Sequence, residues 1–371
     1  MTPFLVLALV LSACAHGLKK SAELDKAPAE MTQKIESVKM EDLSATPSGA
    51  IAASRPAAPG QTKAETLKLK RSQDQADREA ARKAAKVAKG GKPMKPEYSW
   101  TPKAWPFGIG EKQTFTLRWG VVEGGVASIE VSEPQVVDGV PVLHYIGRVQ
   151  SSKALDLFYK VDDMVQSWVR IKDHLPQRQE IDQLESAQWG KRVVVYNPEK
   201  HVAKFYSNTT FKKNDRKEEI RRDITMTYLA QDIVGAAYFF RFVDNLNGLN
   251  FPIHDRYKNW ANALEFLGKE RITIPAGEFA AEKYKMNPRV EGTWKPQGDV
   301  IVWLKDDPTH MVLQFKAKVR IGSITGEMSE FRPGRPINLP VPVMKTPINL
   351  QITGDIVRGF KVRSGNEVRA R

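Results

Sequence analysis

The residues of this 371-residue chain best suited to metal or nucleophilic chemistry are six histidines (His16, His144, His174, His201, His254 and His310) and one cysteine, Cys14. The histidines stand singly, with no H-x-x-x-H or H-E-x-x-H spacing, and one thiol cannot complete a cysteine ligand set, so no metal site is expected. Asp162-Asp163 and Asp306-Asp307 are acidic pairs near strand ends. Without a D-x-D-x-D-G loop they read as acceptors for turn backbone donors rather than calcium ligands. Nucleophilic catalysis is no better served. No G-x-S-x-G elbow occurs, and Gly322-Ser323 falls between strands instead of opening a helix. His254-Asp255 could orient an imidazole, but neighbours along a strand point to opposite faces. Gly108-Ile109-Gly110 lacks the third glycine and the following helix of a phosphate cradle. The expectation is a protein with no catalytic residue, no metal and no cofactor.

Cys14 has a different use. An apolar run of eight residues, Phe4 to Leu11, leads into Ser12, Ala13 and Cys14. A bilayer span needs about 20 residues, so the run suits an export leader. Leu11-Ser12-Ala13-Cys14 resembles the bacterial lipobox, in which cleavage precedes the cysteine. By that resemblance residues 1–13 are a signal peptide and Cys14 becomes an acylated N-terminus, held in the membrane by roughly 0.8 kcal/mol per buried methylene. Cys14 has no partner thiol for an internal disulfide. Ala15, in place of Asp after the cysteine, implies by the usual sorting rule an outer-membrane anchor, with the body facing the periplasm.

Charge is spread unevenly behind this leader. Residues 61–95 carry 11 positive side chains against 4 negative, and residues 332–371 carry 8 against 2, whereas residues 96–331 balance 32 against 31. A neutral body between basic flanks argues against nucleic acid as a partner. It favours arms that meet anionic cell-wall polymer or lipid headgroups. From Ala15 to Glu97 there is no Trp, Tyr or Phe, and such a segment cannot bury enough apolar surface to offset its ordering entropy. Residues 14–97 therefore read as the acylated cysteine followed by a disordered or partly helical basic tether. The helical character rests on Asp74/Arg78 and Glu79/Lys83 in the proline-free stretch Gln61 to Lys89. Its 83 residues could stretch to about 270 Å, well away from the bilayer.

The body expected over residues 98–331 is mostly β. Phe115, Leu117 and Trp119 alternate with Thr114, Thr116 and Arg118, as do Ala127, Ile129 and Val131 with Ser128 and Glu130. The longest pattern sets Met311, Leu313, Phe315, Ala317, Val319 and Ile321 on one face and Gln314, Lys316, Lys318 and Arg320 on the other. Further strands are expected at Val142 to Val149, Val165 to Ile171, Arg192 to Tyr196, Val202 to Tyr206, Glu270 to Ile274, Lys283 to Met286, Val300 to Leu304 and Ser323 to Phe331. Leu229, Ile233, Ala237 and Phe240 keep helical spacing, so Thr227 to Phe242 is expected to form the principal helix. Strands with one apolar face must curl or stack to cover it. The expected architecture is a curved antiparallel sheet or incomplete barrel over that helix, with a two-sheet sandwich as the alternative. Residues 332–371 form a Pro-rich and basic C-terminal extension, extended over Pro333 to Pro347, with a hairpin around Gly354-Asp355.

Several landmarks occur in a fixed order. They are Gly110-Glu111 with Trp119-Gly120 and Gly125-Val126-Ala127, then Leu157-Phe158-Tyr159 with Val161-Asp162-Asp163, and Leu175-Pro176. Asp232 to Arg241, Gly277 with Phe279, Val302-Trp303-Leu304 with Asp306-Asp307, and Gly322-Ser323-Ile324 follow. This order, from roughly Gly108 to Glu330, resembles the bacterial domain-of-unknown-function 3108 family of exported proteins. The resemblance implies an envelope location and carries no activity and no site residue.

Two non-enzymatic functions remain, with a hydrolase less favoured. The first is a tethered interaction scaffold or adaptor that docks an envelope protein, for which the stripe Lys316, Lys318 and Arg320 is a candidate surface. The second is a carrier of a lipid or other amphiphile in the concave face, for which Trp119, Trp168, Phe205, Phe240 and Trp303 are candidate lining residues.

Overall fold

A computed structural model of the protein describes residues 27–44, 99–100, 103–227, 229–244, 246–290, 300–318 and 322–345. The leader, Cys14, the rest of the tether, Val319 to Ile321 and the expected hairpin near Gly354 lie outside the described residues. The first described strands are β1 (Ile35–Ser37), β2 (Ser99–Trp100), β3 (Lys112–Trp119), β4 (Val122–Val131), β5 (Gln135–Val137) and β6 (Val140–Ser151). They are followed by β7 (Asp162–Arg170), β8 (Pro176–Leu184), β9 (Gln188–Asn197), β10 (Val202–Phe211), β11 (Arg216–Thr225) and β12 (Asn250–Asp255). The last are β13 (Lys258–Ile274), β14 (Gly277–Val290), β15 (Val300–Lys305), β16 (Val312–Lys318), β17 (Ser323–Arg332) and β18 (Met344–Lys345). The α-helices are α1 (Met40–Ser44), α2 (Lys153–Asp156) and α3 (Ile233–Phe239), the last continued by a 3-10 turn over Phe240–Phe242.

Two antiparallel meanders build one 16-stranded sheet. The first runs from β3 to β11 and the second from β12 to β17, and the β3–β17 ladder joins them. β5 extends from β6, and β1 adds to β5. The ends of the sheet, β11 and β12, do not pair with each other. Gln231 lies against β12 instead, taking a bond from His254 N at 2.8 Å and giving one to Pro252 O at 3.0 Å. Asn259 Nδ2 reaches Thr225 O at 2.9 Å. The sheet is thus an incomplete barrel, the favoured of the two architectures expected for strands with one apolar face.

Helix α3 is shorter than its apolar spacing suggests. Asp232 ends the non-helical backbone before it by accepting from Val234 N and Gly235 N, which satisfies two otherwise orphaned donors. Leu229 sits at a left-handed φ of 63° and is not helical at all. The helix is wedged between two halves of the core. Ala236 and Phe240 join the cluster built on β12 to β17, while Val234, Tyr238 and Phe242 join the one built on β6 and β7. On β16, Leu313, Phe315 and Ala317 are buried with the preceding Met311, and Lys316 and Lys318 are exposed, as the period of two requires.

One expectation fails over part of its length. The composition of the tether predicts that it stays clear of the body, yet residues 27–44 lie along it. Met31 is buried against Val193 and Tyr206, Arg178 Nη1 donates to Met31 O at 2.8 Å, and Met40 joins Phe107 and Ile109 in the core. Lack of aromatics did not prevent docking, because two methionines and a short strand suffice where the body supplies the rest of the apolar surface. The C-terminal extension also returns to the body. Arg335 bridges Ile109, Ile337 and Leu339 are buried, and Trp105 Nε1 donates to Leu339 O at 2.8 Å.

Candidate functional site

Although α3 packs against both halves of the core, it does not fill the interior. An apolar cavity of about 160 Å³ remains between Ile233, Ala236, Ala237 and Phe240 of the helix side and Phe115, Val165, Trp260, Val302 and Phe315 of the sheet. The helix packs on β6 at Gly147, where a Cβ would lie in ordinary contact with Val234 Cγ2 at 3.4 Å. At one end of this wall stands Asp163, only 1% exposed. Its Oδ1 accepts from Leu184 N at 2.7 Å, and its Oδ2 has no hydrogen-bond partner. Burial, reinforced by the charge of Glu185, holds its carboxyl well above the usual carboxylate range. Behind it Tyr159 OH donates to Glu185 Oε2 at 2.5 Å and Arg192 Nη2 donates to Gln183 Oε1 at 2.6 Å.

The five aromatics expected to share the concave face do not. Phe240 lines the cavity. Trp168 lies on the opposite face of β7, stacked on His144 at 4.8 Å and donating to Gln135 Oε1. Trp303 lies on the face of β15 opposite Val302, under Lys283 Nζ and bonded to Glu270. Phe205 belongs to a separate cluster with Val194 and Tyr196. Trp119 borders a shallow groove with Val122 and Leu155. A period of two tells which residues of one strand share a face, but not which strands meet.

Asp307 and His254 have local partners, and His16 lies outside the described residues. Asp307 Oδ1 accepts from Thr309 N at 2.9 Å within its turn. His254 pairs with Tyr196 OH at 3.4 Å, leaving Asp255 without a hydrogen bond from it. Among the described residues no group of three or more His, Cys, Asp or Glu could hold a metal ion, and no helix is long and apolar enough to cross a membrane. Arg320, the third residue of the basic stripe, lies outside the described residues.

A second feature was not anticipated. In the Leu157-Phe158-Tyr159 landmark, Tyr159 is buried while Leu157 and Phe158 are 74% and 69% exposed. Val121, in the β3–β4 turn, and Val122, which opens β4, are 98% and 56% exposed. The two loops are tied together: Ser152 N donates to Gly124 O at 2.9 Å and Ser152 Oγ to Glu123 O at 3.1 Å. The four exposed side chains therefore belong to two adjoining loops that form one rim, which also carries the exposed Lys153 and Lys160. The signal in the sequence was three adjacent apolar residues with no alternation, in a segment too short for a helix or strand of its own.

Solved structures with a related outline share little sequence. A beta-barrel-like protein of domain of unknown function DUF1849 from Brucella abortus aligns with a TM-score of 0.41 and 8% identity. A candidate lipoprotein from Parabacteroides distasonis gives 0.29 and 11%, and a candidate exported protein with a YmcC-like fold from Bacteroides fragilis gives 0.29 and 10%. Each alignment covers 62% of this chain and 99% of the other. Among curated proteins the chain has no match. The model of the family described as protein of unknown function (DUF3108) matches residues 114–329, more than half of the sequence, and the chain belongs to that family.

Proposed function

We propose that the chain is a non-enzymatic, lipid-anchored protein of the cell envelope, held at the outer membrane and facing the periplasm, whose body docks another envelope protein. The observation that carries the docking is the rim of Val121, Val122, Leu157 and Phe158. Four large apolar side chains exposed on two hydrogen-bonded loops are costly to keep in water, and such exposure is characteristic of a contact surface. The anchor rests on Leu11-Ser12-Ala13-Cys14. With Ala27 packed on the cluster of Met31, Val193 and Tyr206, the 13 residues from Ala15 to Ala27 reach at most about 45 Å, which keeps the body near the membrane. The carrier reading has a cavity in its favour, but about 160 Å³ is small beside the roughly 300–1,000 Å³ of pockets that enclose drug-sized ligands. That weighs against carriage of a whole acyl chain.

Photo-crosslinking from position 157 in the full-length protein in cells tests the docking. The expected result is one discrete protein adduct, identified by mass spectrometry and reproduced with the purified partner, that Phe158→Asp abolishes without a change in the melting temperature of the body. Adducts to lipid alone, or the same adduct from the exposed Val202, would overturn it.

A further inference from the structure

The cavity beside α3 carries an inference independent of the rim. Its wall is apolar except at Asp163. Ser128 and Arg148 also border it, but they alternate with the inward Ala127, Ile129, Gly147 and Val149, and Arg148 turns toward Asp162 at 3.8 Å. Asp163 is fixed by the Leu184 N–H on Oδ1, so its orientation is set by the backbone of β8. None of the charged groups that act on it bonds Oδ2: Glu185 is held by Tyr159 and Gln183, Asp162 lies by Arg148, and Arg192 gives Nη2 to Gln183 while its Nη1 is buried without a partner. A buried acceptor without a donor is rare in folded proteins, and a bound molecule or an ordered water commonly supplies the missing partner.

We propose that this cavity is a binding site for a small aryl or short alkyl alcohol, its apolar body against Phe240, Val302 and Phe315 and its hydroxyl on Asp163 Oδ2. Size sets the first half of that class, since a dry cavity of about 150 Å³ takes up benzene. Chemistry sets the second. A hydroxyl can donate to a carboxylate and accept from a carboxylic acid, so it satisfies Asp163 in either state, whereas an ammonium requires the ionised form. A hydrocarbon of equal size would leave Oδ2 unpaired, and sites built around a buried polar group discriminate strongly against ligands that cannot pair with it.

The test uses benzyl alcohol and toluene, added separately to the purified full chain carrying ¹³C-methyl methionine. Met286 lines the cavity and reports occupancy by its methyl shift. Benzyl alcohol should bind at least tenfold more tightly than toluene, Asp163→Leu should reverse that order, and Ala236→Phe, which fills the cavity, should remove both shifts. Equal affinities in the wild-type chain would overturn the role of Asp163 even if Asp163→Leu does not fold. No shift with either probe would overturn the site itself. Toluene favoured in the wild type would mean that an internal water already satisfies Oδ2, and would overturn the pairing.

Discussion

Phe315 and Gly326 face each other across the β16–β17 ladder, and the Phe315 ring occupies the space where a side chain at position 326 would begin. The same ring lines the cavity and tilts on Phe115 at 5.7 Å. Gly326→Ala should therefore cost about 1–3 kcal/mol by overpacking. Phe315→Ala should cost about 3–5 kcal/mol by enlarging a cavity that is already there. The double variant should be more stable than the sum of the two losses, because the methyl at 326 enters the vacated ring site. Urea unfolding of the three variants measures the coupling, and strict additivity would mean that the ring and residue 326 do not share that space.

Arg241 is the second fixed point of the fold. Its guanidinium pairs with Glu111, donates to Thr309 O at 2.9 Å and Pro106 O at 2.6 Å, and lies 5.4 Å from the Phe107 ring. It thereby ties the end of α3 to the start of β3 and to the turn before β16. Arg241→Met strands a buried carboxylate and should cost about 3–5 kcal/mol, whereas Arg241→Met with Glu111→Leu should recover a large part of that loss. Thermal unfolding decides it: a double variant no more stable than Arg241→Met would show that the backbone acceptors, rather than Glu111, hold the arginine in place.

The docked N-terminal segment makes its own prediction. Met31 is 4% exposed against Val193 and Tyr206, so Met31→Ala should destabilise by about 2–5 kcal/mol, and Met31→Asp by more. Hydrogen exchange should then rise in β9 and β10, where the apolar surface is uncovered. Exchange unchanged in both strands would mean that the segment adds nothing to the body it covers.

What the sequence made legible follows from how each strand is buried. β3, β4 and β16 have one wet and one dry face and show it as a period of two. β8 does not, because both its faces are covered: Gln179 and Gln183 on one side, and Arg178, bonded to the N-terminal segment, and Asp182, bonded to Lys191, on the other, all buried. β11 is an edge strand, so charges such as Arg216, Glu218, Arg221 and Arg222 face solvent and mask its pattern. The order of landmarks carried the family, and Asp232 and Arg241, named within them, became the helix cap and the buried ion pair. The cavity and the free oxygen of Asp163 depend on β7, α3 and β15 meeting in space, a relation that no local pattern encodes.

Two buried histidines set how the fold responds to acid. Burial pushes His174 down to about 3, although it pairs with Tyr145 OH at 3.0 Å, and pushes His254 down to about 4. Both titrate near 6.5 when unfolded. Between the folded and unfolded values the unfolded chain binds more protons, so each histidine removes stability as pH falls below about 6.5, by up to about 1.4 kcal/mol per pH unit. The loss continues to about pH 4 for His254 and to about pH 3 for His174. Asp163, Asp232 and Asp255, whose carboxyls burial raises, act with the opposite sign, favouring the fold at low pH and weakening it as pH rises through their folded values. Comparison with a variant isolates the histidine contribution. His254→Gln should gain about 2 kcal/mol relative to the wild type between pH 7 and pH 4.5, read from urea unfolding at each pH. Parallel stability curves for the two proteins would show that His254 is protonated in the fold, and hence that Tyr196 and its surroundings admit a charge.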